Sequence, residues 1–497
     1  MNAYTRTENG AIVHASTGHT LLDMNFNALG LRKVPEADIV RLFEKAYSED
    51  GLLAVRWLFY AGDVREGMGE RRLFKTILPT VIAKFPHLIK FVGEYNRFDS
   101  LLPLLDDDRT AGITLAYIKE AVLADLAKLK EGKSVSLIGK WLPSINTSSQ
   151  KTRHYAQIIS RNLFDDHKTY RKACAALRKA IGIVETKMCK GEWDSIEYPK
   201  VPGVAVHRYR KAFNRNDMVR FADFNVQVLK GKEHKNSATV SPAELVYAYI
   251  SDWCWGGLDK KYSPDVSVEA SWSALPDLMK DGKDILPVCD ISGSMGNNTV
   301  DPKSKIRPIH ASVGFSIYCA THNKCEAFKN KVMTFSSHPE LVSVSGNSLA
   351  QDITLIMRSG NVGFNTNVVA MFERYLNALI ANKIPTNAVL PTVVIFSDME
   401  FDYDAPQHMG FSNNDRTLFD GIRAKFKSYG YDLPRMVLWN LCSRTGGAPL
   451  RTNDAGLVMI SGLNQATMDM VFSDRVDPFE ILKEKLNGKR YSQITLD

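Results

Sequence analysis

Before residue 256 the apolar positions recur at intervals of three and four, the spacing of helices that bury one face. Residues 35–48, 51–61, 70–85 and 111–130 each read this way. Short punctuation separates them: Glu49-Asp50-Gly51, Gly67-Met68-Gly69 and the acidic run Asp106-Asp107-Asp108. Pro86 and Pro103 bound further short helices. Strand-like alternation is almost absent before residue 280. Helix after helix with short connections predicts a stacked array of the α-solenoid kind, although no crisp internal repeat accompanies it.

Residues 256–284 break the pattern with Gly256-Gly257, Pro264, Pro276 and Gly282, and read as a connecting segment. Beyond it, apolar β-branched runs alternate with helical spacing. Strands are predicted at 284–290 (DILPVCD), 331–336, 391–397 (PTVVIFS), 435–441 and 456–460, with 340–344 able to pair with the second. Helices are predicted at 308–322, 367–380, 417–428, 465–472 and 478–486. This order predicts a mostly parallel sheet covered on both faces, with ligands at the carboxyl ends of its strands. The fold class expected is therefore multidomain α plus α/β: a helical domain over 1–275 and a Rossmann-like domain over 280–497.

A chain of 497 residues exceeds one hydrophobic core, in keeping with two domains. No run of eighteen apolar residues predicts a membrane span, and the start of the chain lacks a basic-then-apolar signal. A cytoplasmic protein with no membrane partner is expected. Seven cysteines without paired CxxC spacing read as thiols rather than as a disulfide framework or a zinc site. The net charge of +8 is unevenly placed. Residues 151–250 hold 19 Lys+Arg against 10 Asp+Glu, a net of +9, whereas 281–497 hold 22 of each and are neutral. Two readings stand for the basic segment: a polyanion-binding surface, or a solvated helical surface that happens to be basic.

The sharpest chemical signal is Asp290-Ile291-Ser292-Gly293-Ser294, directly after a predicted buried strand. It sets three hard oxygen donors within one turn, the donor type that suits Mg²⁺ and then Mn²⁺. Thr366 precedes a helix, and Asp398 ends the PTVVIFS strand. Both would reach the same sheet edge. Glu400 and Asp402 stand where they would orient the Asp398 loop. Two alternatives stand: plain capping of the following helix by Ser292 and Ser294, or a site with intact residues that no longer binds metal. No histidine neighbours these serines in sequence, and nothing marks His310 or His338 as a base. The site is therefore read as binding rather than catalytic.

This constellation resembles the metal-ion-dependent adhesion site of von Willebrand factor A domains. The resemblance implies Asp290, Ser292, Ser294, Thr366 and Asp398 as ligands, with one position left for an acidic side chain of a protein partner. In the helical half, Arg56 to Arg65 (RWLFYAGDVR) followed by Gly67-Met68-Gly69-Glu70-Arg71 resembles the opening signature of TROVE modules. Glu94 to Asp99 (EYNRFD) resembles a later TROVE element. With Lys140 to Ser144 (KWLPS), Tyr170-Arg171-Lys172, Glu185 and Met188, the pattern is similar to the DUF2828 family over nearly the whole chain, and more distantly to Ro ribonucleoproteins.

Ro proteins join a ring of HEAT-like helical repeats to a von Willebrand A domain and bind small or misfolded RNA. The resemblance implies the same here. Lys140, Arg171, Lys172, Arg178, Lys179, His207, Arg208, Arg210, Lys211 and Arg215 would contact phosphates. For Tyr170, Trp193 and Tyr209 a core role is expected first, with stacking on unpaired bases as the alternative. A structural role is expected for Arg56, Arg65, Arg71 and Arg72 through Asp63, Glu66 and Glu70. The leading expectation is a non-catalytic RNA-binding protein with a Mg²⁺ or Mn²⁺ site. The alternatives are a Mg²⁺-dependent protein-interaction scaffold or assembly component without RNA, and a metal-dependent hydrolase.

Overall fold

The computed structural model describes residues 4–8, 10, 12–164, 166–251, 261–279, 284–300, 304–323, 328–335, 339–359, 367–401, 418–442, 457–472 and 477–497. A mainly helical N-terminal region is followed by a mixed, mainly parallel six-stranded sheet with helices. The expected helices form as Glu36–Glu49, Gly51–Gly62, Arg71–Lys84 and Asp108–Lys130. Side-chain caps fix their starts: Asp50 accepts from the Leu53 amide at 2.9 Å, and Asp107 from that of Arg109 at 3.0 Å.

One short antiparallel hairpin precedes the helices, β1 (Tyr4–Arg6) with β2 (Ile12–His14). The sheet consists of β3 (Ile285–Asp290), β4 (Lys331–Phe335), β5 (Leu341–Ser343), β6 (Thr392–Ser397), β7 (Met436–Asn440) and β8 (Leu457–Ser461), in the order β5-β4-β3-β6-β7-β8. Every pairing is parallel except β4 with the edge strand β5. β3, β6 and β7 are buried along their whole length, as their apolar runs require of a sheet covered on both faces. Phe315, Phe396 and Trp439 meet within 5.7 Å and form the aromatic part of this core.

The chain groups into two compact units that interleave in sequence. One comprises Met1–Pro35, Pro202–Arg208 and Ala222–Gly488; the other comprises Glu36–Val201, Tyr209–Phe221 and Lys489–Asp497. A boundary near 275–280 describes the change of pattern along the chain, but not this grouping. The reason is tertiary: the first 35 residues pack in the unit of the sheet, and the last nine pack among the helices.

In the helical unit, Asp63 is fully buried. Arg490 pairs with its carboxylate, the second contact running from Nη2 to Oδ1 at 3.0 Å. The Tyr491 hydroxyl donates to Oδ2 at 3.0 Å, and the Arg65 amide to Oδ1 at 2.9 Å. Arg56 donates to the carbonyls of Ile494 and Ser492, and Arg71 lies 3.5 Å from Asp99. The Arg65 guanidinium donates to the Glu94 carbonyl at 3.2 Å, so the side chains of Arg56, Arg65 and Arg71 make structural contacts to partners other than the expected Asp63, Glu66 and Glu70. The glycines of the GxGER element serve the same turn. A Cβ at Gly67 would stand 2.0 Å from the Tyr60 carbonyl oxygen, and Gly69 has a φ of +71°.

Candidate functional site

Asp290 ends β3 at the carboxyl edge of the sheet and is fully buried. Its Oδ1 accepts from the Ser292 amide at 2.9 Å, which turns the chain back over the strand end. Its Oδ2 accepts from the Ser397 hydroxyl at 2.5 Å. The pairing of Cys289 with Phe396 puts Ser397 across from Asp290, so this contact follows from strand register. The Ser397 hydroxyl also accepts from the Met399 amide at 3.1 Å, and Met399 takes a left-handed φ of +63°. One serine, missed from the sequence, thereby ties Asp290 to the turn that carries Asp398. Its signal was the place at the end of β6, next to a candidate ligand.

Ser292 occupies the N-cap position of the short helix Gly293–Asn297, but its side chain makes no cap hydrogen bond. Its Oγ lies 3.2 Å from Ser294 Oγ instead. The hydroxyls face each other, against the simple capping alternative. Asp398 is 2 % exposed, and its Oδ1 accepts from the Glu400 amide at 3.3 Å. Burial first, and then the negative charge of Asp398, push the Asp290 carboxyl well above the usual carboxylate range. Two buried carboxylates at one sheet edge repel each other, and a bound cation would reverse that cost.

Among the described residues no three His, Cys, Asp or Glu gather as metal ligands, so a cation here depends on the hydroxyls as well. Hard oxygens from two carboxylates and two serines fit Mg²⁺ in chemistry. Thr366, Asp402 and His338 lie outside the described residues. Glu400 is fully buried, and its Oε2 accepts from the Glu8 amide at 2.7 Å. His310 has both ring nitrogens engaged: Nδ1 accepts from the Arg307 amide at 2.9 Å, and Nε2 lies 2.9 Å from the Ile250 carbonyl. Burial holds its pKa down at about 4, so it is a neutral structural histidine.

The second candidate surface lies on helices Gln150–Phe164 and His167–Ile181, which pack against each other. Together they carry eight Lys and Arg and no Asp or Glu. The second helix buries Tyr170, Ala173, Cys174 and Leu177, which turns Lys168, Arg171, Lys172 and Lys179 to the outside. Among the described residues none of these four has an ion-pair partner within 4 Å.

Other members of the predicted set stand differently. Arg178 donates to the carbonyls of Gly139 (3.1 Å) and Leu142 (2.7 Å) and to the Ser144 hydroxyl (3.1 Å), so it holds the KWLPS turn. Lys140 is half-buried, 5.5 Å from the centre of the Trp141 ring. Lys211 and Arg215 are exposed, and Arg210 is half-buried. His207 and Arg208 fall in the unit of the sheet rather than the helical one.

The aromatics weighed between core and base stacking have internal contacts. Tyr170 is 1 % exposed and donates to the Pro143 carbonyl, Tyr209 donates to Glu185 at 3.0 Å, and the Trp193 ring lies against Phe213. Among the described residues no helix is long and apolar enough to cross a membrane.

Comparison with known proteins divides the chain. Residues 284–493 match a domain of unknown function, DUF7788, and residues 118–283 match a domain of unknown function, DUF2828. The DUF2828 resemblance is thus matched over the middle of the chain, and the sheet region matches a second family. The uncharacterized protein L728 of Acanthamoeba polyphaga mimivirus is 26% identical over 527 residues, which span 96% of this chain and 86% of that protein. The crystal structure of the Deinococcus radiodurans Ro (RSR) protein aligns with 98% of this chain and 96% of its own, at 12% identity and a TM-score of 0.35. Segment by segment, the chain is similar to DUF2828 and then to DUF7788.

Proposed function

We propose that the protein is a non-catalytic RNA-binding protein. Its helical unit grips phosphates, and its sheet unit carries a Mg²⁺ site of the metal-ion-dependent adhesion type. The observation that carries the RNA reading is the pair of packed helices with eight cations and no carboxylate, which leaves Lys168, Arg171, Lys172 and Lys179 exposed and, among the described residues, without an ion-pair partner. Cations without carboxylate partners are available to displace counterions from a nucleic-acid backbone. With Tyr170 in the core and Tyr209 and Trp193 held by neighbours, phosphate contact rather than base stacking dominates this surface.

In the sheet unit, Asp290, Ser292, Ser294 and Asp398 supply the cation's oxygen donors, with Thr366 as the further ligand implied by sequence. The cation would offer a coordination position to an acidic group of a partner. His310 is engaged at both nitrogens and Glu400 receives an amide, so neither is a ready base for a metal-bound water. A Mg²⁺-dependent protein scaffold is the second reading, favoured by these buried carboxylates and facing serines.

The test is purification of the full chain at low salt, followed by the ratio of absorbance at 260 and 280 nm and sequencing of what elutes. Co-purified RNA released by high salt supports the proposal. A nucleic-acid-free chain that shifts neither single- nor double-stranded RNA at low salt contradicts it and leaves the scaffold.

A further inference from the structure

The loop after β6 is held from the far end of the chain. The Thr7 hydroxyl donates to the Phe401 carbonyl at 2.6 Å, and the Glu8 amide donates to Glu400 Oε2 at 2.7 Å. Thr7 is 5 % exposed, and both Glu400 and Phe401 are fully buried, so the Thr7–Phe401 bond is shielded from competing water, while the Glu8–Glu400 bond is part-buried. The Phe401 ring also meets Phe335, the residue paired with Asp290 across β3 and β4. On its other side the same five-residue stretch is fixed by Ser397, which donates to Asp290. Asp398 thus sits between two anchors, one on its partner carboxylate and one on the hairpin β1–β2.

The neighbouring residues extend this belt along the carboxyl edge of the sheet. Asn440, at the end of β7, donates to the Phe26 carbonyl at 2.8 Å, and the Leu29 amide reaches the Ser461 hydroxyl at the end of β8 at 3.4 Å. Three successive strand ends are therefore contacted by the first 30 residues, on the edge where sheets of this kind bind ligands.

We propose that the N-terminal hairpin is a clamp that positions Asp398 for cation binding, with Thr7 and Glu8 as its positioning residues. The inference rests on the metal-site reading given above. Without the clamp, the loop 397–401 keeps its Ser397 anchor and the Phe401–Phe335 ring contact but loses the hydrogen bonds from Thr7 and Glu8. The carboxylate then samples orientations that do not converge with Asp290. Thr7→Val keeps the shape and deletes the donor; Thr7→Ser keeps the donor.

The experiment uses the full-length wild type, Thr7→Val, Thr7→Ser and Asp290→Ala. Two readouts are taken: Mn²⁺ affinity by titration, and amide hydrogen exchange over residues 397–401 without metal. The expected result is faster exchange and a roughly tenfold or greater loss of Mn²⁺ affinity in Thr7→Val, with both recovered in Thr7→Ser. Unchanged exchange in Thr7→Val overturns the clamp, and so does faster exchange with unchanged Mn²⁺ affinity. If the wild type binds Mn²⁺ no better than Asp290→Ala, the metal-site reading itself fails. The clamp's assigned purpose fails with it, while the exchange data still report whether the hairpin holds the loop.

Discussion

In Arg490→Ala the Asp63 carboxylate stays fully buried but loses both guanidinium contacts. The Tyr491 hydroxyl and the Arg65 amide remain as donors. A carboxylate left in this state faces the desolvation cost of burial without a counter-charge, on the order of 3–5 kcal/mol where one partner of a buried pair is removed. Arg490 is 18 % exposed, which places the expected loss at the lower end, about 3 kcal/mol. Converting the pair to neutral groups in Asp63→Asn with Arg490→Met removes the charge as well as its partner. That double variant is expected to recover at least about 1 kcal/mol of the loss. The chain has two compact units, so a single global unfolding curve does not isolate this effect. Amide exchange of helix Gly51–Gly62, which leads into Asp63, reports the opening of this region directly. If Arg490→Ala changes the opening free energy of that helix by less than about 0.5 kcal/mol, the reasoning about the buried pair is wrong.

Three further outcomes follow from other sites. Lys235 is 1 % exposed, with its ammonium on Asn225 Oδ1 and the Ser267 carbonyl, and burial pushes its pKa down to about 7. Above that value the folded side chain is neutral while the unfolded one stays protonated up to its ordinary range. Stability of the sheet unit should therefore rise with pH, by about 1 kcal/mol between pH 7.5 and 8.5. Chemical denaturation at the two pH values should show that rise shrinking in Lys235→Met. Arg178→Ala should lower thermal stability by about 1–3 kcal/mol, because two acceptors of the KWLPS turn and the Gly139 carbonyl before it lose their donor. An Arg178→Ala protein that melts like the wild type but binds RNA far more weakly would return Arg178 to the phosphate contacts. Gly67→Ala should destabilise the helical unit, since a Cβ there would overlap the Tyr60 carbonyl, and a melting temperature within one degree of the wild type would refute that packing.

Much of the sheet was legible because its strands are short apolar runs that are buried on both faces. DILPVCD, PTVVIFS and RMVLWNL each contain an observed strand to within a residue or two. Helix Pro308–His322 has the bounds predicted for it. Asp290 and Asp398 were legible from their places at strand ends. Ser397 was not, because its role comes from register across two strands distant in sequence. Arg178 looked like a free cation because the carbonyls it serves lie 36 and 39 positions earlier. Tyr170 and Arg171 are neighbours in sequence about 100° apart around one helix, and only helical phase separates the core residue from the exposed cation. The N-terminal hairpin and the C-terminal segment carry no local sign of their destinations. Thr7 meets a partner 394 positions away, and Arg490 one 427 positions away.

The most direct test of the RNA-binding account is the salt dependence of RNA affinity for the wild type and for the triple variant Arg171→Glu, Lys172→Glu, Lys179→Glu. These residues are exposed, without ion-pair partners among the described residues, and outside the packed face of their helix, so the variant should fold as the wild type does. The account predicts wild-type binding that weakens steeply with salt. In the variant, affinity at low salt should fall by about 100-fold or more, and the slope of log affinity against log salt should be shallower by roughly two to three. Equal affinities and equal slopes for a folded variant would contradict the account.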